Sequence, residues 1–229
     1  MAVPADLHYL RSVMDHVGPT VLEVGSHNWQ GIGGNMHGTV TGSGRAWEGC
    51  DVEAGPGVDF TVDILDDEQI RAIGRTWSTV LLFNLLEHVY DPTAALRNAL
   101  RLVEPGGTCV VCGPAIWELH DFPADYWRPL PDFYLEFARR EGCTIEPGTL
   151  VWVLNEFRYR PRQPPRSRLV PVEALTTDGQ KQVPSRLTAM QVYGRPRTIA
   201  SVAIQRVLNL NGRVTRFPNV GLGAVLRRA

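Results

Sequence analysis

The chain has 229 residues, 44% hydrophobic and 21% charged, which is the profile of one ordinary globular domain with a modest appendage, or of two small ones at most. Its uninterrupted apolar stretches, such as the four residues at 80–83, fall far short of the roughly 20 that a membrane-spanning helix requires, and the first residues lack a basic-then-apolar leader, so a soluble cytoplasmic protein is expected. The net charge of −1 conceals a division, with nine basic against 21 acidic side chains in residues 1–150 and 14 against three in residues 151–229.

Leu7, Leu10, Met14 and Val17 recur at helical spacing before Gly18-Pro19, which predicts an amphipathic helix over 5–17. VLEVG at 21–25 reads as a short buried strand closed by glycine, AWEGCDV at 46–52 as a second and VDFTVDI at 58–64 as a third, with a helix opening near Asp66. STVLLFN at 78–84 is a buried strand. Asp91-Pro92 supplies an N-cap and a proline at the first helical position, Leu96, Ala99, Leu100 and Val103 form one helix face, and Pro105-Gly106-Gly107 stops it. TCVVCG at 108–113 follows as a strand, in which the odd spacing of Cys109 and Cys112 sends the two thiols to opposite faces and argues against zinc or redox chemistry. The repeated strand–helix–strand order predicts an α/β fold, a Rossmann-like, doubly wound, mostly parallel sheet with helices on both faces.

Beyond this core, PDFYLEFARR at 131–140 reads as a helix and TLVWVL at 149–154 as a strand. The Arg- and Pro-rich residues 158–171 are expected to form an extended connection, MQVYG at 190–194 a returning edge strand, and Ile199, Val202, Ala203, Val207 and Leu210 the face of a basic amphipathic helix. The expected organisation is a core over 1–157 and a basic extension over 158–229 that contributes the last strand. That arm is expected to pack on the acidic core of its own subunit or of a partner in a homodimer, the alternative being a basic surface that meets an anionic ligand.

In an open parallel sheet the ligand lies at the carboxyl ends of the strands, where the strand order reverses. Here those ends carry Glu23 and Gly25, Asp51, Asp63 and Asn84. The first turn reads G-S-H-N-W-Q-G-I-G-G, without the spacing that cradles a pyrophosphate. Successive carboxyls repel phosphate but suit a ligand with a ribose diol, an exocyclic amine, an ammonium and a positive sulfur.

VLEVGS at 21–26, EGCDVEAGPGVDFTVDIL at 48–65, LLFNLLEHVYDPTAALRNALRLVEPGGTCVVCGP at 81–114 and LHDFPADYWRP at 119–129 together resemble the class I S-adenosylmethionine-dependent methyltransferases of the small-molecule type. The resemblance covers roughly residues 20–140 and implies S-adenosylmethionine as methyl donor and S-adenosylhomocysteine as product. It places Glu23 and Gly25 beside the methionine portion with Ser26 in the cofactor-binding turn that follows, Asp51 on the ribose hydroxyls with Val52 adjacent, Asp63 on the adenine amine with the backbone of Ile64 beside the ring, Asn84 and Leu85 at the ammonium, and His88 on the pocket wall. Ser26, His27, Asn28 and Trp29 depart from the glycine-rich turn common in that family. Plainer roles compete at four positions: Asp51 as a turn cap, Asp63 as the first acid of the next helix, and Glu87 and His88, each otherwise a direct ligand, as helix-start residues packed on the sheet.

Methyl transfer from a sulfonium is an in-line displacement that depends on alignment and exclusion of water, with a base helping an aliphatic hydroxyl. IWELHDFPADYWRP at 116–129 follows the fifth strand, and His120 with Asp121 are the candidate catalytic residues, His120 as general base. A divalent metal on that pair is the weaker alternative, and no metal is expected. Asp125, Tyr126, Trp127 and Arg128 read as a packed anchor in which Arg128 pairs with Asp125. The expected acceptor is a small metabolite, sugar-bearing by resemblance, methylated at oxygen or nitrogen. RNA or protein methylation through the basic arm, or a cofactor-binding regulator without turnover, are the alternatives, and the acidic body disfavours nucleic acid.

Overall fold

The computed structural model describes residues 4–28, 36–117, 124–156, 166–172 and 220–229. Nine strands among these residues form one sheet: β1 (Thr20–Val24), β2 (Ala46–Asp51), β3 (Phe60–Thr61), β4 (Trp77–Phe83), β5 (Val103–Ile116), β6 (Thr144–Ile145), β7 (Val151–Glu156), β8 (Arg166–Pro171) and β9 (Val220–Arg227). Their order is β3-β2-β1-β4-β5-β9-β7-β8, with β6 pairing β9 beside β7. The five strands from β3 to β5 are parallel, and β9, antiparallel to both β5 and β7, ends that run. The chain winds outward through β1, β2 and β3, then returns to the other side of β1 as β4. The reversal therefore lies between the ends of β1 and β4.

Helices cover both faces. Asp91 caps α4 (Pro92–Leu102) by accepting the Ala94 amide at 2.9 Å, with Pro92 in the first turn, and the face Ala95, Leu96, Ala99 and Leu102 is buried. Asp66 caps α3 (Asp67–Ala72) through the amides of Glu68 and Gln69, and α5 (Pro131–Glu141) ends on Gly142 in the left-handed conformation. These three helices share one core with Leu22, Val80, Leu82, Cys109 and Val111. On the other face α1 (Pro4–Ser12) and α2 (His37–Thr41) pack against Val21, Leu81, Val110 and Cys112. Cys109 and Cys112 thus enter opposite cores, as their spacing predicts, and all four cysteines are free and buried.

Several expectations are corrected. The predicted helix over 5–17 ends at Ser12, and hydrogen bonds of the i to i+3 kind carry Met14–His16 as a tighter turn that brings Val13 and Val17 onto the sheet. The third strand shrinks to two residues: the Asp63 amide donates to Gln69 Oε1, and Asp63 and Asp66 accept the amides of the turn and helix cap that follow. β5 starts at Val103, directly after α4, so Pro105-Gly106-Gly107 lies within the strand at a register shift opposite Trp77 and Thr79. Residues 166–171 of the expected Arg- and Pro-rich connection form the edge strand β8. The strand expected at 190–194 and the helix at 199–210 lie outside the described residues.

β9 was not legible as a core strand, yet it is buried along most of its length. Leu222, Ala224 and Leu226 enter the α4–α5 core, while Gly223 faces Tyr9 of α1 so closely that an added Cβ would stand 2.4 Å from the ring. Tyr9 is fully buried and its hydroxyl donates to the Thr149 carbonyl at 3.1 Å. Among the described residues no helix is long and apolar enough to cross a membrane.

Candidate active site

The crevice at the β1/β4 reversal is built from the loops that leave the strands. Gly25 turns at φ 78°, a conformation that disfavours any side chain, and a Cβ there would stand 3.1 Å from Leu85 at the start of the next loop. The chain then crosses to the neighbouring loop: the Gly25 and Ser26 amides donate to the Cys50 carbonyl, and the Asn28 amide to the Pro56 carbonyl. Ser26 is fully buried and its hydroxyl donates to the Gly57 carbonyl at 2.7 Å, which makes it a tie between loops. The His27 ring lies against Gly55, where a Cβ would meet it at 2.1 Å.

Four carboxyls stand at these strand ends. Glu23 is buried and accepts the Met36 amide at 2.9 Å and the Trp47 indole N–H at 2.9 Å, so it fixes the entry to α2 and the side of β2. Burial pushes its pKa up to about 7 against the lowering effect of those donors. Asp51 accepts the His27 amide at 3.0 Å and the Glu53 amide at 3.3 Å, and is half-buried. Asp63 accepts the Leu65 amide at 2.8 Å while Asp66 caps the helix, which separates two roles that the sequence left open between them. Glu87 is 1% exposed and neither of its oxygens has a hydrogen-bond partner among the described residues.

The Ile64 carbonyl accepts from the buried Asn98 amide at 2.8 Å, and Val52 is exposed. Asn84, at the end of β4, takes a positive φ of 49° and is held from two sides. Its backbone N–H donates to the Cys112 carbonyl at 2.8 Å, and its side-chain amide donates to Asp6 of α1 at 2.8 Å. Asp6 is buried and was missed by sequence reasoning, because an acid in the first turn of an amphipathic helix reads as a solvated dipole partner.

Residues 124–128, after β5, pack on the loop after β4. The Tyr126 amide donates to the Glu87 carbonyl at 2.7 Å, and His88 Nδ1 meets the Ala124 carbonyl at 2.6 Å. Arg128 binds Asp125 with both of its terminal nitrogens, as the packed-anchor reading expects, and the Asp125 side chain is fully buried. Tyr126 stands edge-on to Tyr90, with ring centres 5.9 Å apart, and the Trp127 indole donates to the Tyr90 carbonyl at 3.0 Å. His120 and Asp121 lie outside the described residues.

The donor set fits S-adenosylmethionine. Carboxyls dominate the strand ends, residues 1–150 contain no lysine, and the orphaned Glu87 carboxyl calls for a donor or a positive charge. A pyrophosphate would meet repulsion at the same positions.

A family profile described as methyltransferase domain matches residues 35–159. A demethylmenaquinone methyltransferase of Streptomyces griseus is 26% identical over 124 residues, 52% of this chain and 50% of that protein. A ubiquinone biosynthesis O-methyltransferase of Xanthomonas oryzae is 29% identical over 117 residues, 45% and 46% of the two chains. The matched stretch thus spans about half the length of these curated relatives. Among solved structures, a SAM-dependent methyltransferase from Archaeoglobus fulgidus superposes with a TM-score of 0.50 at 14% identity over 97% of this chain and 92% of that one. A protein of Bacillus halodurans C-125 assigned as a methyltransferase reaches 0.56 at 12% identity over 97% and 98%. The family match over more than half the chain, on a sheet of this order, establishes that the protein belongs to the methyltransferase-domain family, within the class I S-adenosylmethionine-dependent methyltransferases.

Proposed function

We propose that the protein transfers the methyl group of S-adenosylmethionine to an oxygen or nitrogen atom of a small, ring-bearing metabolite. The observation that carries this reading is the set of carboxyls at the strand ends around the β1/β4 reversal, which suit a cationic nucleoside and oppose a phosphate. In this reading Asp51 takes the ribose hydroxyls, since one carboxylate accepts two O–H donors, and Asp63 takes the adenine amine. Glu23 shapes the first loop, with Gly25 and Ser26 fixing its path. Asn84 and Leu85 receive the ammonium end, and His88 lines the wall. His120 is the proposed base, with Asp121 beside it.

The acceptor class is supported by two features. The names of the matched relatives refer to quinone biosynthesis, which is small-molecule chemistry on ring compounds. The exposed rings of Tyr90, Tyr126 and Trp127 stand on the segments after β4 and β5, where they offer faces for a flat or ring-shaped acceptor. Incubation with methyl-labelled S-adenosylmethionine and a metabolite extract of the native source, followed by mass spectrometry, tests the reading. A labelled small molecule supports it, and label found only in RNA or protein contradicts it.

A further inference from the structure

We propose that Glu87 is the counter-charge to the positive sulfur of the methyl donor, and that its carboxylate makes the protein prefer S-adenosylmethionine to S-adenosylhomocysteine. The inference rests on the methyl-transfer reading above. Glu87 is set apart from the other strand-end acids by what it lacks. Glu23, Asp51 and Asp63 each accept an N–H from another residue, whereas both Glu87 oxygens are buried and accept from no other described residue, its own amide being the one N–H that favours the carboxylate. A buried carboxyl without a donor costs free energy that the fold gains nothing from, unless a ligand supplies the missing partner.

Position and surroundings agree. Glu87 Oε2 lies 3.3 Å from where a Cβ on Gly113 would stand, so the carboxyl sits against β5 one residue beyond Cys112, whose carbonyl anchors Asn84. The carboxyl therefore lies beside the carboxyl ends of β4 and β5, next to the Asn84 turn that the proposed function gives to the ammonium end of the donor. From its own loop it faces His88, whose Nε2 is 3.8 Å from Oε1. The segment after β5 contributes Arg128, already bound to Asp125; α1 contributes Asp6, bound by Asn84; β5 contributes the Cys112 thiol and α5 the Tyr134 phenol. None of these hydrogen-bonds the carboxyl.

Burial pushes the Glu87 pKa up to about 8, so near neutral pH the carboxyl is mostly protonated in the free protein. A positive sulfur beside it favours the carboxylate, and the proton leaves to solvent as the donor binds. The demethylated thioether carries the same adenosine, ribose and amino-acid groups but no charge at sulfur, so that attraction is absent in the product complex. The two ligands differ in this one charge, which makes their comparison selective for Glu87.

Titration calorimetry of the full chain with each ligand, in two buffers of different ionisation enthalpy near pH 7, counts the protons released. S-adenosylmethionine is expected to release close to one proton more than S-adenosylhomocysteine, and the preference for it to grow about five- to tenfold from about pH 6.5 to about pH 7.5. Glu87→Gln should erase both effects while the two ligands still bind. Equal proton release, or a preference independent of pH, overturns the role of Glu87. Because the proton count is made on the unaltered chain, it does not depend on how the variant folds. A chain that binds neither ligand overturns the methyl-transfer reading itself, a different outcome from binding without the extra proton.

Discussion

Asp51 spans two loops, since its carboxylate accepts amides from the turn after β1 and from the turn after β2. The same carboxylate is proposed to hold the ribose, so Asp51→Ala should weaken S-adenosylmethionine binding by roughly 1–3 kcal/mol, read by calorimetry, with unchanged affinity removing Asp51 from that role. Gly25→Ala forces a side chain into φ 78° and toward Leu85, and a loss of about 1–2 kcal/mol in urea unfolding is expected, with weaker donor binding alongside. A stable variant with full affinity would mean that the turn tolerates a Cβ. His120→Ala should lower turnover while leaving donor affinity nearly intact, and an unchanged rate at saturating acceptor would exclude it as the base.

The elements show where the sequence speaks and where it falls silent. The strands β1, β2 and β4 and the helices α3, α4 and α5 were legible because local signals agreed: apolar runs closed by glycine, acids at N-caps, and prolines in first helical turns. The positions of the strand ends were legible for the same reason, since the order of elements fixes which residues close each strand. Asp6 was not, and Glu87, singled out in the sequence, gave no sign of being buried without a partner, because both depend on burial by elements far away in sequence. β9 escaped because Gly221 and Gly223 dilute its apolar pattern, although the second glycine exists to admit Tyr9. Gly223→Leu should therefore destabilise the fold by about 2–4 kcal/mol in urea unfolding, as an overpacked core position does, and a neutral effect would refute the Tyr9 contact. Removal of residues 196–229 takes away β9 and exposes the edges of β5 and β7, so it should abolish cooperative unfolding.

At the scale of the whole molecule, the acidic core creates a linked dependence on pH. The folded-state pKa values of Glu23 and Glu87 are raised from the usual carboxyl range to about 7 and about 8. A raised carboxyl binds its proton more tightly in the folded state, so its contribution is complete below the unfolded pKa and is lost as pH climbs through the folded value. The ligand-free protein should lose stability between about pH 5 and about pH 8, measured as a falling urea midpoint, and Glu87→Gln should flatten the upper part of that fall. S-adenosylmethionine should restore stability most at the alkaline end, where the carboxylates it meets are already charged. A urea midpoint that rises over this range would contradict the burial of both groups.

Crystals of the protein grown with S-adenosylhomocysteine test the central claim most directly. The account predicts the nucleoside between the ends of β1, β2 and β4, with its ribose hydroxyls on Asp51 and its amino acid end at Asn84. A nucleoside bound elsewhere on the chain, or ribose hydroxyls turned away from Asp51, would contradict it.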